Sequence, residues 1–507
     1  MNLIRGGCSF LLVLVLFSCG DNSTAPASRA PIVLKVGASP DLSPAVGAPP
    51  AVAAPLVFPA LPIYDVVTSV LSPTTTSPAA EEHVAISPTN YCIWVGAISD
   101  FGIRGGFNTT KYAVTYNFGD TWQESYLPNN GTTSGSQLLT SDGQQWDFNS
   151  DPVVAFDRLG NVYIANLYFN NGDKSNGIYV AKKAVGSAGP LTFTSADILP
   201  ASVNLNKPIQ VDEDKEWIAV DNSTGSSAFQ GRVYISWSRF NSNGPGNSRI
   251  MVTSSGTQGA TWSAPVQVSP VSQNGLVQGS QVAVGPDGTV YVCWLTIVAG
   301  GNRMFFSKST DGGASWSTPA SITPTFQEIS FTASYRYDSF PSLAVNPNPV
   351  SGQAYGEIYV VYPDQPNANS SIKFVRSTDG GTSFSAPVAL NDVATSQRLM
   401  PSIAVDDRNT LNVCWFDTRN GADAQTYDIY AARGSVSTGS LVWGVSNVRV
   451  TPASITIPAG TSFIGDYGGM ASSSFDDGVS IWGFAVPVWT GSGGTRILKA
   501  AVLGYHP

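Results

Sequence analysis

Histidine is almost missing from this 507-residue chain: there are two, His83 and His506, both near the ends. A Ser-His-Asp type of triad and a His-rich metal site are therefore excluded as expectations. Charge is scarce as well. Only 12% of residues are charged, and a formal net charge of −9 with a pI near 4.7 comes without any basic cluster, which excludes nucleic acid and other polyanions as partners. No Gly-rich loop follows a strand and opens a helix, so there is no phosphate cradle, and no segment after residue 60 has a helical period. Long apolar runs are lacking too; the run from Phe10 to Phe17 is too short to span a bilayer as a helix. Of the five cysteines, Cys293 and Cys414 each precede a Trp at the same place in repeat units that are not neighbours, so they do not readily pair.

Glycine and proline are plentiful, with 50 and 34 residues beside 42% hydrophobic ones. That balance fits an exported all-β protein with ample length for a large core. Repeats confirm the class. One turn is spelled four times: Thr115 to Trp122, Ser255 to Trp262, Ser309 to Trp316 and Ser377 to Phe384. A strand-turn-strand pattern recurs at 154–163, 282–291 and 403–412, and aligning the small residue of its first strand gives Ala85, Ala155, Ala219, Ala283, Ala344, Ala404 and Ala471, at intervals of 60 to 70 residues. Periods of this size are those of propeller blades, and the apolar runs are short, β-branched and bounded by Gly, Asn, Asp and Pro. Seven units are counted. Strand 63–71 is expected to complete the last unit beside 497–503, since a ring hides its sheet edges in this way.

The repeated turn resembles the Asp-box, S-x-D-x-G-x-x-W, of sialidase-like β-propellers, with Asn117 and Thr257 standing for the acid in two copies. The resemblance implies a β-propeller of four-stranded blades over 61–507, with the box as a staple on the face opposite the ligand. Sialidases have six blades, so the count leaves two alternatives: a ring of seven, or a six-bladed ring with one terminal unit as an accessory hairpin.

The N-terminus reads as export machinery. Leu16-Phe17-Ser18-Cys19 is similar to a bacterial lipobox, so 1–18 is expected to be a lipoprotein signal peptide and Cys19 the lipidated residue. Residues 19–60, rich in Ala, Pro and Ser, are expected to be a disordered tether. If the cell is Gram-negative, Gly20 rather than Asp after the Cys points to the outer membrane and cell surface; the membrane is expected to be engaged through the anchor only and the propeller to be a monomer.

Ligands of propellers bind where loops entering the inner strands converge. Those loops carry Asp147, Asp151, the run Asp212 to Trp217, Gln278, the run Arg336 to Asp338, Arg398, Asp466 and Tyr467, an unusually charged mouth for this chain. Loops on the same face add Asp100, Arg104, Asp417 and Arg419. Sialidases clamp the substrate carboxylate with three arginines, attack with a Tyr and protonate with an Asp. The resemblance thus implies Tyr467 as nucleophile, polarised by Asp466 or Glu328, Asp151 as acid/base, and Arg104, Arg336 and Arg398 with Asp214 and Asp338 around the substrate. The family's Arg-Ile-Pro opening motif is absent, and Arg104 lies in a different loop type. Three readings stay open: an exo-sialidase, another glycoside hydrolase using two of the mouth acids, and a non-catalytic glycan- or protein-binding propeller. No cofactor is expected, although the acids would also suit Ca²⁺.

Overall fold

The computed structural model describes residues 63–68, 80–100, 109–129 and most of 137–505; the lipobox with Cys19, the tether and Arg104 lie outside the described residues. The fold is an all-β propeller. Apart from two short 3₁₀ turns, Ser195–Asp197 and Val271–Gln273, the elements are strands. Among the described residues there are seven sheets of four or more strands, numbered here in the chain order of their inner strands. Their inner strands are Ala80–Ile86, Phe148–Phe156, Val211–Val220, Val277–Val284, Ser342–Val345, Arg398–Val405 and Met470–Asp476. Each of the seven aligned alanines lies on one of these strands. Each inner strand packs against the next, and that of sheet 7 packs against that of sheet 1, so the chain closes on itself.

Closure uses both ends of the described chain. Sheet 7 takes its outer strand from Ile63–Thr68, paired antiparallel with Ile497–Ala501 from Ile63 opposite Ala501 to Thr68 opposite Ile497. Its inner three strands come from the C-terminal end. An edge that would otherwise expose unpaired backbone groups is thereby shared between the two ends.

The four repeated turns each join the third and fourth strand of a sheet, and their geometry explains the sequence pattern. The hydroxyl of the first residue accepts the N–H of the fifth: Thr115 from Gly119, Ser255 from Gly259, Ser309 from Gly313 and Ser377 from Gly381, at 2.8–3.0 Å. The third residue accepts the N–H of the seventh at 2.8–2.9 Å, through Asn117, Thr257, Asp311 or Asp379. An amide or hydroxyl oxygen therefore does what the acid does. The fifth residue has φ of 80–89° in all four turns, which calls for glycine. In the first two turns Trp122 and Trp262 donate their indole N–H to the fifth carbonyl at 3.0 Å.

The core is divided among the gaps between sheets. Sheets 3 and 4, for example, share Tyr234, Val252, Val282, Val292 and Trp294. Sheet 4 has core on both faces, which is why its second strand, Val290–Val298, reads as an almost continuous apolar run. Trp294 is completely buried in that gap. Trp294→Ala should cost about 3–5 kcal/mol, read by urea denaturation, because the lost ring leaves a cavity that the sheets cannot close. Trp316→Ala, at a half-buried turn, should cost less. Equal unfolding of Trp294→Ala and the parent protein would refute this packing.

Candidate functional site

The site is assembled by a backbone irregularity repeated around the ring. In sheets 1, 2, 3, 4 and 6 the register between inner and second strand slips at one place, and there a residue takes a left-handed conformation. These residues are Glu81 (φ 61°), Asp151 (60°), Lys215 (51°), Gly279 (67°) and Met400 (50°). Each lies four residues before the aligned alanine; the corresponding positions in sheets 5 and 7 are Phe340 and Tyr467. A bulge re-aims its side chain, and here it brings side chains from separate sheets together at the axis. A non-glycine residue held this way costs on the order of 1–3 kcal/mol and is found where function demands it.

Glu81 and Asp151 are both buried and hydrogen-bonded to each other. Burial pushes both carboxyls upward, Glu81 well above its usual range, with the Asp151 charge as its second cause. Two carboxyls in such contact cannot both ionise readily. The Ser99 hydroxyl bonds Glu81 at 3.3 Å and accepts the Asp151 N–H at 3.0 Å. His83, two residues after Glu81, is also at the axis. Its Nδ1 accepts the Val154 N–H at 3.2 Å, its ring meets Trp217 edge-on at 5.0 Å, and burial lowers its pKa to about 3, so it is neutral.

Asp466 and Tyr467 reach this cluster because two glycines let their loop lie on sheet 1. A Cβ on Gly465 would stand 2.9 Å from the Glu81 backbone nitrogen, and one on Gly469 would stand 2.6 Å from the His83 Cα. Tyr467 is buried, with its hydroxyl donating to the Pro152 carbonyl at 3.2 Å. Burial, then the charges of Glu81 and Asp151, pushes its ionisation well upward. Asp466 accepts two bonds from Arg336, at 3.2 Å from Nε and 2.5 Å from Nη2. Arg336 is more than half exposed and leans on the Phe463 ring. Asp338 is hydrogen-bonded to Asp466 and pushed up to about 7, by burial first and the Asp466 charge second. Asp214, half-buried, is pushed up to about 8 by burial and then by Asp151 and Asp466.

The structure thus brings together Asp151, Asp214, Arg336, Asp338, Asp466 and Tyr467. Arg398 is bonded within its own sheet region: fully buried, it gives Nε to Asp417 at 3.0 Å and its other nitrogens to the Ser370 and Val393 carbonyls at 2.6 Å each. Asp417 also pairs with Arg419 at 2.8 Å. Glu328 accepts a bond from Asn302 and is no partner of the Tyr467 hydroxyl. Glu81 and His83 are two site residues that the loop-entry positions do not include; Glu81 shares with Asp151 and Lys215 the place four residues before the aligned alanine, and nothing comparable marks His83. Among the described residues, no three of His, Cys, Asp and Glu are set to hold a metal ion.

No family model matches the chain, and no curated protein matches it. Among solved structures it is similar to the α-L-arabinofuranosidase Arb93A of Fusarium graminearum, bound to an iminosugar inhibitor, at 10% identity over 87% of this chain and 97% of that one, with a TM-score of 0.45. It is similar to the intramolecular trans-sialidase of Ruminococcus gnavus at 12% identity over 87% and 97%, TM-score 0.41. A polysaccharide lyase of family PL25, an ulvan lyase, is 11% identical over 85% and 96%, TM-score 0.45. Likenesses this distant transfer no activity to the chain.

The raised carboxyls make a prediction about stability. An acid whose folded pKa lies above its unfolded value adds stability that is complete below the unfolded pKa and is lost as pH rises through the folded one. For Asp214 that window runs from an ordinary value of 3.8 to about 8. Melting temperature should therefore fall across this window, and Asp214→Asn should flatten the fall. An unchanged slope in the variant would show that Asp214 is not the group responsible.

Proposed function

We propose that this protein cleaves glycosidic bonds in a glycan by carboxylate acid–base chemistry at the ring's mouth. The observation that carries the reading is the pair of partly exposed acids, Asp214 and Asp338, held at about 8 and about 7 beside Arg336. Cleavage needs a protonated carboxyl to meet the leaving oxygen and a second carboxyl to activate water or attack, and both work best with pKa values near the working pH. Asp214 is the acid. Asp338, whose proton is shared with Asp466, is the base. Arg336 fixes Asp466 and offers exposed donors to sugar hydroxyls.

A Tyr-nucleophile sialidase is a finer reading that these residues support less well. Tyr467 spends its hydroxyl on the Pro152 carbonyl and resists ionisation, and Arg398 has no donor directed at the axis cluster. Purified residues 61–507 incubated with neutral, acidic and amino-sugar polysaccharides and with sialosides should release reducing ends. The rate should rise with pH through about 7 and fall through about 8, since Asp338 must be ionised and Asp214 protonated. Asp214→Asn and Asp338→Asn should each lower turnover by about 10²-fold or more while retaining binding. Release of sialic acid abolished by Tyr467→Phe would favour the sialidase instead, and binding without any cleavage would make the protein a recognition module.

The same reading places the ring outside the cell on a lipid anchor at Cys19, following the lipobox-like Leu16 to Cys19. Cys19→Ala should move the full chain from the membrane to the soluble fraction. Unchanged fractionation would remove the anchor.

A further inference from the structure

Lys215 is the cation at the centre of the acids. The residue is 1% exposed, and its buried ammonium has no hydrogen-bond partner among the described residues. Three rings surround it instead: Tyr467 at 4.5 Å, Phe340 at 5.1 Å and Trp217 at 5.3 Å from nitrogen to ring centre. The Tyr467 ring is itself fixed, by its hydroxyl on the Pro152 carbonyl and by an edge-on contact with Trp217 at 5.5 Å. The backbone of Lys215 is left-handed, so the bulge delivers the side chain to the axis rather than to the neighbouring sheet.

Charged groups face this ammonium from four segments. Glu81 comes from sheet 1 and Asp151 from sheet 2, Asp214 and Glu216 flank Lys215 in sheet 3, and Asp466 comes from the loop before sheet 7; burial lowers the Lys215 pKa, and the charges of Asp466, Asp151, Glu81 and Asp214 oppose that and favour the ammonium. His83 faces it as a neutral ring, and Arg336 stands behind Asp466. An ammonium bonded to one carboxylate would be committed to that partner. Kept from direct pairing by three rings, this one acts through its field, and in a poorly polarisable surrounding that field reaches several carboxyls at once.

We infer that Lys215 is a positioning residue for the acid–base chemistry: clamped on the axis by Trp217, Phe340 and Tyr467, its charge decides how many of the surrounding carboxyls keep a proton. The consequence for turnover rests on the cleavage reading above; the consequence for protonation does not. The direction is set. The ammonium favours the ionised forms of Asp151, Asp214 and Glu216, so its removal leaves these carboxyls protonated to higher pH.

The experiment is an infrared pH titration of the protonated-carboxyl band in the parent, Lys215→Met and Lys215→Arg, with thermal melts as a check on folding. In Lys215→Met the band should persist to higher pH, and the falling alkaline limb of any glycan cleavage should move up with it; Lys215→Arg should restore the parental curve. A folded Lys215→Met with the parental titration overturns the inference. Should Lys215→Met fail to fold, the parent with ¹⁵N-labelled lysine gives the same test: the Lys215 resonance should move in step with the carboxyl band, and independent titration overturns the inference. Because the infrared titration needs no substrate, a protein that cleaves no glycan but shows the shifted curve sinks the cleavage reading alone.

Discussion

The axial cluster depends on a one-residue slip in the inner strands. Without it, pleated alternation would leave Glu81, Asp151 and Lys215 among the side chains that pack sheet against sheet, where a charge would have no companions. With it, side chains from sheets far apart in sequence converge, and the energetic cost of the left-handed backbone at four non-glycine positions is borne by the closed ring around them. The ring has to be rigid for this to hold. Its cores lie between successive sheets, so displacing one inner strand would disturb two gaps at once.

The seven equivalent positions are unequal in a way that shapes the electrostatics. Sheets 1 to 3 supply Glu81, Asp151 and Lys215, whereas sheets 4 to 6 supply Gly279, Phe340 and Met400. Gly279 has room for no side chain, since a Cβ there would lie 2.1 Å from the Phe340 ring. One arc of the axis is therefore charged and the facing arc apolar. An apolar wall removes the water that would otherwise solvate ionised carboxyls, which is the largest cause of the raised values of Glu81, Asp151 and Asp214.

Much of this was legible in the chain. The aligned alanines mark the inner strands, the four turns mark the third-to-fourth strand corners, and 63–68 does pair with 497–501. Asp151, Asp214, Arg336, Asp338, Asp466 and Tyr467 all lie within a few residues before an aligned alanine, which is why the sequence groups them at the mouth. What could not be read was which of them face inward. Arg398 sits at an equivalent distance in sequence, yet a buried Asp417 and two carbonyls claim its donors. Glu81 has the shared spacing before Ala85 but no local motif, and His83 has neither; a bulge is a property of strand pairing, and no single strand announces it. The scarcity of histidine likewise argued against a role that position alone has given to His83, as a neutral acceptor for the Val154 N–H.

Sheet 7 sets the order in which the chain can become a ring. Its outer strand pairs Ile63 with Ala501 and Thr68 with Ile497, and these contacts close the widest loop among the described strand pairings. Loop closure over such a length is entropically costly and slow, and it waits until the last residues are available. A chain made from its N-terminus would hold Ile63–Thr68 unpaired while the other sheets form, then capture it last. The strand that completes sheet 7 is thus also the first strand of the described chain, so a pull on the segment before Ile63 acts directly on the final seam of the ring.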